Sequence, residues 1–276
     1  MSPADPPPQL SLTRAVALGL LHGPAELLPV SSSAHVGLVP WLLGRPSRLG
    51  PGEQKALEVA LHAGSGAGLL LILARECPGR GLGRPGRRGR AQLVALAATV
   101  GPPAAAGLLL QGPIERRLGT PAATAGGLLA GSVALVWADR APGRRAAPEA
   151  GAVDALWLGL AQACALSPGV SRLGATLCAA RARGFAPEQA GTLARGSALP
   201  VIAAAASLQA VQAARGGLGP GLARGLAAGA AAALLSTLAA ARLWPPARRD
   251  RALWPYALYR AGLALLVVRR LREDGG

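Results

Sequence analysis

Long apolar runs alternate with short polar stretches along this chain. Six of the runs are long enough to cross a hydrocarbon core about 30 Å thick, which takes roughly 20 residues of helix. They lie at about 55–74, 91–111, 121–139, 187–212, 219–242 and 252–270. Gly101-Pro102-Pro103 falls inside the second and is expected to kink it. Two further apolar regions, about 10–43 and 151–184, are built differently. Each is a pair of short apolar pieces around a polar centre, Pro29-Val-Ser-Ser-Ser33 in one and Ser167-Pro-Gly-Val-Ser-Arg172 in the other. Neither piece is long enough to cross alone, so each region predicts a helix–break–helix hairpin that enters and leaves on one side. Irregular backbone at membrane depth is tolerated only inside protein or beside a watery cavity. Both breaks are therefore expected to line a cavity.

A hairpin followed by three spans occurs twice, at about 10–139 and 151–270, within one membrane domain covering 1–276. An odd number of crossings per repeat gives the halves opposite orientations, an arrangement that brings two broken segments together near the midplane. The predicted fold is an all-α integral membrane protein of about six transmembrane helices plus two re-entrant helical hairpins in an inverted repeat. The repetition is a pattern in hydropathy, without strong residue-level similarity between the halves.

Composition agrees. Of 276 residues 51% are hydrophobic and only 15% charged, against roughly 25% charged in a soluble domain; the mean hydropathy is +0.35. Alanine, leucine and glycine supply most of the apolar surface, and small residues let membrane helices approach closely. The formal charge of +16 raises nucleic-acid binding, but the arginines sit between apolar runs rather than on one face, and no nucleic-acid motif is present. They follow the positive-inside pattern instead. Arg75, Arg80, Arg84, Arg87, Arg88 and Arg90, then Arg140, Arg144 and Arg145, then Arg242, Arg248, Arg249 and Arg251 fall on one side, expected to be cytoplasmic. The other side has fewer basic residues, among them Arg45 and Arg48. The terminal Arg269, Arg270 and Arg272 run against this bias. Cys77, Cys164 and Cys178 are odd in number and have no metal-site spacing, so no disulfide framework is expected. The acidic, proline-rich Met1–Gln9 makes a poor signal peptide.

The chemistry concentrates in the two breaks. Glu26 stands in an otherwise apolar stretch, where a carboxylate costs about 2.5–3.5 kcal/mol on insertion scales. His22 lies four residues earlier, on the same helical face. Ser31, Ser32, Ser33 and His35 follow; Ser32 and His35 are three apart, neighbours on a helix, and a serine beside a base is a candidate nucleophile. The serine run also reads as a helix N-cap after Pro29, and helix N-terminal amides favour phosphate. In the second break Pro168-Gly169 stops the chain, Ser171-Arg172 begins a new helix, and Thr176 lies one turn on. Arginine is a planar fork suited to phosphate oxygens. His62, four residues after Glu58 in the first span, completes the histidines. Glu58 and Gln162 are secondary candidates for the cavity, no tight zinc motif is present, and Arg195 is an intramembrane charge without an evident role.

Glu26-Leu-Leu-Pro-Val-Ser-Ser-Ser-Ala-His35 and Pro168-Gly-Val-Ser-Arg-Leu-Gly-Ala-Thr176 resemble the two motifs of the undecaprenyl-diphosphate phosphatases, also called bacitracin-resistance proteins. Leu57-Glu-Val-Ala-Leu-His-Ala-Gly-Ser65 and Tyr256-Ala-Leu-Tyr-Arg260 resemble further elements of that family, in the same order. The resemblance implies a multi-pass enzyme of the bacterial inner membrane. It would hydrolyse undecaprenyl diphosphate to the monophosphate and phosphate, recycling the carrier lipid of peptidoglycan synthesis and conferring bacitracin resistance. It implies Ser32 as nucleophile, His35 as acid–base partner, Glu26 as an activating group that holds a divalent cation, Mg²⁺ or Ca²⁺, and Arg172 as the diphosphate clamp. Ser31, Ser33, Ser171, Thr176, His22 and His62 would line the substrate. A polyprenyl diphosphate lipid is the expected partner, with a second copy of the chain as a candidate homodimer. Three positions depart from the family pattern: His22 replaces a glutamate, His62 a glutamine and Leu173 a serine. Imidazole in place of carboxylate weakens a site for hard ions. A non-catalytic polyprenyl-phosphate transporter or flippase is the alternative, since inverted repeats are common in transporters. A phosphatidic-acid-type phosphatase would need a histidine motif that does not follow Arg172, and a docking protein gives no reason for two buried polar breaks.

Overall fold

The computed structural model describes residues 10–47, 49–76, 89–216, 219–245 and 250–274. Arg48, Cys77, Arg80, Arg84, Arg87, Arg88, Arg248 and Arg249 lie outside the described residues. Among those described, the chain forms ten α-helices and no sheet. In order they are α1 (Leu12–Leu27), α2 (Ser32–Leu42), α3 (Pro51–Glu76), α4 (Arg90–Leu118), α5 (Pro121–Arg140), α6 (Ala152–Cys164), α7 (Arg172–Ala182), α8 (Pro187–Gly216), α9 (Pro220–Leu243) and α10 (Trp254–Asp274). Helices α3, α4, α5, α8 and α9 are long and apolar enough to cross a membrane. The sixth expected span, at about 252–270, falls on α10, 21 residues long, which is not among these five; Arg260 interrupts its apolar stretch and Arg269 and Arg270 close it. Large apolar side chains such as Leu93, Leu108, Val133, Leu235 and Leu265 point outward from the bundle, as a lipid solvent requires. The chain is an all-α integral membrane protein.

The short helices are the two hairpins. Helices α2 and α7 have 11 residues each, about 16 Å at 1.5 Å per residue, roughly half the hydrocarbon thickness. The ends of each hairpin are tied together. Arg14 donates to the Arg45 carbonyl at 3.2 Å, joining the start of α1 to the chain beyond α2. In the second hairpin Asp154, in the first turn of α6, accepts from Arg183 beyond α7 at 2.7 Å and from both terminal nitrogens of Arg145 at 3.0 and 2.9 Å. The Arg145 hydrogen bonds hold the Asp154 carboxyl well below the usual carboxylate range. A lowered folded-state pKa stabilises above the unfolded value, about 4, and that contribution is lost as the pH falls and the carboxylate protonates.

Helix contacts are reciprocal: α1 packs along α9 and α6 along α4, while α3 meets α8 and α5 meets α10. Glycines make the close approaches. Gly19 and Gly23 of α1 lie against the backbone of α9 at Gly229 and Ala233, where Ser236 Oγ donates to the Gly19 carbonyl at 3.0 Å. Gly159 of α6 lies against the Ala98 and Thr99 carbonyls of α4. Pro102 and Pro103 deprive those two carbonyls of their helical donors, yet α4 runs through both prolines as one helix. Gln162 covers the gap, its amide nitrogen 3.5 Å from the Thr99 carbonyl.

Arg195 finds its partner across the bundle. Its two terminal nitrogens each donate to Asp250 at 2.8 Å, with both residues buried, and Gly191 leaves the room that the carboxylate fills. Removing one member of a buried pair strands the other charge, at about 3–5 kcal/mol. Arg195→Ala is therefore expected to lower the thermal unfolding temperature in detergent sharply. Arg195→Met combined with Asp250→Leu is expected to recover most of that loss, since no charge is then stranded.

Candidate active site

The two breaks meet. Each ends in a serine with a left-handed backbone, Ser31 at φ 74° and Ser171 at φ 71°, followed at once by the first residue of a short helix, Ser32 or Arg172. Non-glycine residues in such conformations cost of order 1–3 kcal/mol and persist only where their surroundings hold them. Here the holding group is Arg260 of α10, fully buried. It donates to the Pro29 carbonyl of the first break at 3.0 Å and to the Gly169 and Val170 carbonyls of the second at 2.9 and 3.1 Å. Gly131 of α5 leaves space for the guanidinium.

Arg260 draws Ser32 and Arg172 to the same carboxylate. Ser32 Oγ donates to Glu26 Oε2 at 2.6 Å, and Arg172 pairs with Glu26 Oε1. Glu26 is buried, in the last turn of α1. Arg172 Nε is buried and has no hydrogen-bond partner. Ser31 makes no side-chain cap on α2, so the first-turn amides of that helix, which lack intrahelical acceptors, also lack a capping side chain. The site thus presents unmet donors beside a hydroxyl that is itself bonded to a base. That combination suits an anion attacked by an oxygen nucleophile.

His62 of α3 approaches the same carboxylate, Nε2 lying 3.5 Å from Glu26 Oε2. His22 sits edge-on to it, ring centroids 4.5 Å apart, with both ring nitrogens buried and unpartnered. His22, Glu26 and His62 form a cluster able to hold a metal ion, with ligand atoms all within 4.8 Å of one another.

Other expected residues are placed differently. His35 makes no hydrogen bond to Ser32: Nδ1 donates to the Ser31 carbonyl at 2.8 Å, and Nε2 meets the Tyr259 hydroxyl at 2.6 Å. Thr176 donates back to the Arg172 and Leu173 carbonyls within α7. Ser171 accepts from the Gly174 amide as the cap of α7. Ser33 is exposed, 3.3 Å from Ser31 Oγ. Glu58 contributes its carbonyl to His62 and takes Gln54 on its carboxylate, while Gln162 faces α4. Leu173 packs into the apolar cluster with Leu135, Leu177 and Phe185, away from the polar centre. Tyr259 and Arg260 were given no role from sequence, although the Tyr256-Ala-Leu-Tyr-Arg260 stretch that holds them was among those resembling the family.

A family model described as bacitracin resistance protein BacA matches residues 15–266. A Geobacter sulfurreducens protein named undecaprenyl-diphosphatase is 35% identical over 269 residues, covering 93% of this chain and 98% of that protein. The protein of that name from Chromohalobacter salexigens is 34% identical over 265 residues, 91% of this chain and 97% of the relative. The one from Geobacter metallireducens is 32% identical over 265 residues, 92% and 96% respectively.

Arg260→Ala leaves the Pro29, Gly169 and Val170 carbonyls without their donor, at about 1–3 kcal/mol for each unmet buried group. The variant is expected to unfold at a markedly lower temperature in detergent than Tyr259→Phe, which removes one hydroxyl and leaves those three carbonyls their donor.

Proposed function

The chain belongs to the bacitracin resistance protein family, and from that membership we propose that it hydrolyses undecaprenyl diphosphate to undecaprenyl phosphate and inorganic phosphate. In the bacterial inner membrane this would return the carrier lipid to peptidoglycan synthesis and confer bacitracin resistance. The observation that carries the reading is the Ser32–Glu26–Arg172 arrangement across the two breaks: nucleophile, base and phosphate-binding cation within one set of hydrogen bonds.

The proposed reaction begins with the diphosphate entering between α2 and α7 while the polyprenyl chain stays in lipid. Arg172 exchanges Glu26 for phosphate oxygens, and the α2 amides receive others. Ser32 Oγ attacks the terminal phosphorus as its proton passes to Glu26. The bond from that phosphorus to the bridging oxygen breaks, and the lipid monophosphate leaves, taking the proton from Glu26. The restored carboxylate then accepts a proton from the water that cleaves the serine–phosphate bond and passes it to Ser32 Oγ as that bond breaks, which regenerates the resting pair. Arg172 and the amides oppose the charge that builds on the transferring group, where most of the catalysis of phosphoryl transfer lies. His35 acts in this scheme on geometry, bracing the Ser31 turn between its carbonyl and Tyr259.

The divalent cation implied by the resemblance was Mg²⁺ or Ca²⁺. Those ions take six or more ligands, nearly all oxygen. The cluster offers two imidazoles and one carboxylate that already carries Arg172 and Ser32. The donor set does not fit a hard ion, and no step above depends on one.

We also infer that 10–139 and 151–270 are repeats of opposite orientation. The reciprocal packing of α1 on α9 and α6 on α4 supports this. So does one common spacing that separates Gly19 from Gly159, Val30 from Val170 and Ser31 from Ser171. Ser32 and Arg172 then occupy equivalent positions.

Phosphate release from undecaprenyl diphosphate by the detergent-purified chain tests the reading. Ser32→Ala and Glu26→Gln are each expected to reduce kcat by about 10³-fold, within the range for removing an acid–base group. Thr176→Val is expected to leave it nearly unchanged, because that hydroxyl is engaged inside α7. No release by folded wild-type protein would overturn hydrolysis in favour of lipid-phosphate transport.

A further inference from the structure

His62 carries an unresolved conflict at its inner edge. Nδ1 lies 2.8 Å from the Glu58 carbonyl one turn back in α3 and must donate to it. In the neutral ring Nε2 is then a lone pair, and it faces the Glu26 carboxylate at 3.5 Å. Two acceptors in that position repel each other unless a cation stands between them. His22 adds a second ring whose two nitrogens are buried without any partner, a costly state for polar atoms in an apolar setting. Ser32 and Arg172 do not relieve either defect, since both bind Glu26 and neither reaches an imidazole.

We propose that His22, Glu26 and His62 bind one borderline divalent cation of the Zn²⁺ class, in place of the hard ion the resemblance implies. Two neutral imidazoles and one carboxylate are the donor types such ions prefer, whereas Mg²⁺ and Ca²⁺ prefer oxygen. The Glu58 carbonyl supplies the outer hydrogen bond that fixes the ligating tautomer of His62. Ligand atoms on a tetrahedral ion of this kind lie roughly 3.3 Å apart, so side-chain movements of about 1 Å close the cluster. Three protein ligands would leave a fourth position on such an ion for a further ligand. With the ion bound, Glu26 has a second counter-charge besides Arg172. The site then carries net positive charge, which an anionic diphosphate complements. The proposal concerns the same site as the hydrolysis reading but requires no turnover, so the two can fail separately.

Optical titration with Co²⁺ tests it directly. The full chain, purified in detergent with any affinity tag removed and stripped with a chelator, is titrated with Co²⁺ alone. The expected result is a visible d–d absorption of a nitrogen-ligated ion, saturating at about one equivalent. Zn²⁺ should displace it at stoichiometric concentration, and Mg²⁺ or Ca²⁺ should not at about a hundredfold excess. His22→Gln and His62→Gln should each weaken Co²⁺ binding at least about tenfold. His22→Glu should retain an ion while becoming sensitive to competition by Mg²⁺, a gain that misfolding does not produce. Absence of the spectrum in folded wild-type protein overturns the proposal. It fails equally if the spectrum survives both glutamine variants, or if Mg²⁺ displaces Co²⁺ as readily as Zn²⁺.

Discussion

Arg260 is the side chain on which the centre of this protein depends. A break in a helix at membrane depth exposes carbonyls that lipid cannot satisfy, each at a cost of several kcal/mol. The chain has two such breaks, and one buried guanidinium donates to both, reaching Pro29 in the first and Gly169 and Val170 in the second. A planar donor with several N–H groups is suited to this task; an ammonium, with three donors at one point, does not span the same separation. Arg260 therefore does more than satisfy backbone. It brings two chain reversals, far apart in sequence, to one place and one relative orientation.

What those reversals carry follows from that placement. Ser31 and Ser171 turn the chain into α2 and α7, so the residue after each lies at a helix N-terminus, Ser32 bonded to Glu26 of its own hairpin and Arg172 reaching across to the same carboxylate. One of those residues is a hydroxyl and the other a guanidinium, and Glu26 lies between them. Glycine contacts let α1 and α6 sit deep enough for this meeting. A Cβ at Gly23 would collide with Ser236 and Thr237, and one at Gly159 with the proline-freed carbonyls of α4. The small residues at these contacts are thus a packing requirement of the hairpins.

Much of this was legible in the chain. Apolar run length marked the spans because the bilayer imposes one length on all of them, and the two polar centres stood out because polar residues are costly there. Glu26 and Arg172 could be singled out for that reason, while Ser32 was set apart from Ser31 and Ser33 only by the family resemblance. Their mutual contacts could not, since they depend on Arg260 bridging elements that hydropathy treats as independent. Arg195 was visible as an anomaly, but Asp250 lies in a polar connection where a carboxylate is unremarked. His35 and Ser32 share helical spacing, yet His35 turns to Ser31 and Tyr259 because a tyrosine from α10 supplies the second partner. Leu173 was readable only as a missing hydroxyl; the fold shows it filling the core between α5, α7 and α8, where a leucine adds apolar contact.

The pairing of Glu26 with Arg172 also bears on how a buried cation site can receive its ligand. An unpaired arginine at this depth would be strongly disfavoured, so the resting protein holds it on an internal carboxylate. In the proposed reaction a phosphate group replaces that carboxylate, and the arginine passes from one anion to another without being left bare. In that exchange Glu26 keeps its hydrogen bond to Ser32, and it regains Arg172 when phosphate departs. In that scheme the ion pair of the resting fold gives way only to another anion, so Glu26 is released to take the serine proton only once a phosphate group has taken its place on Arg172.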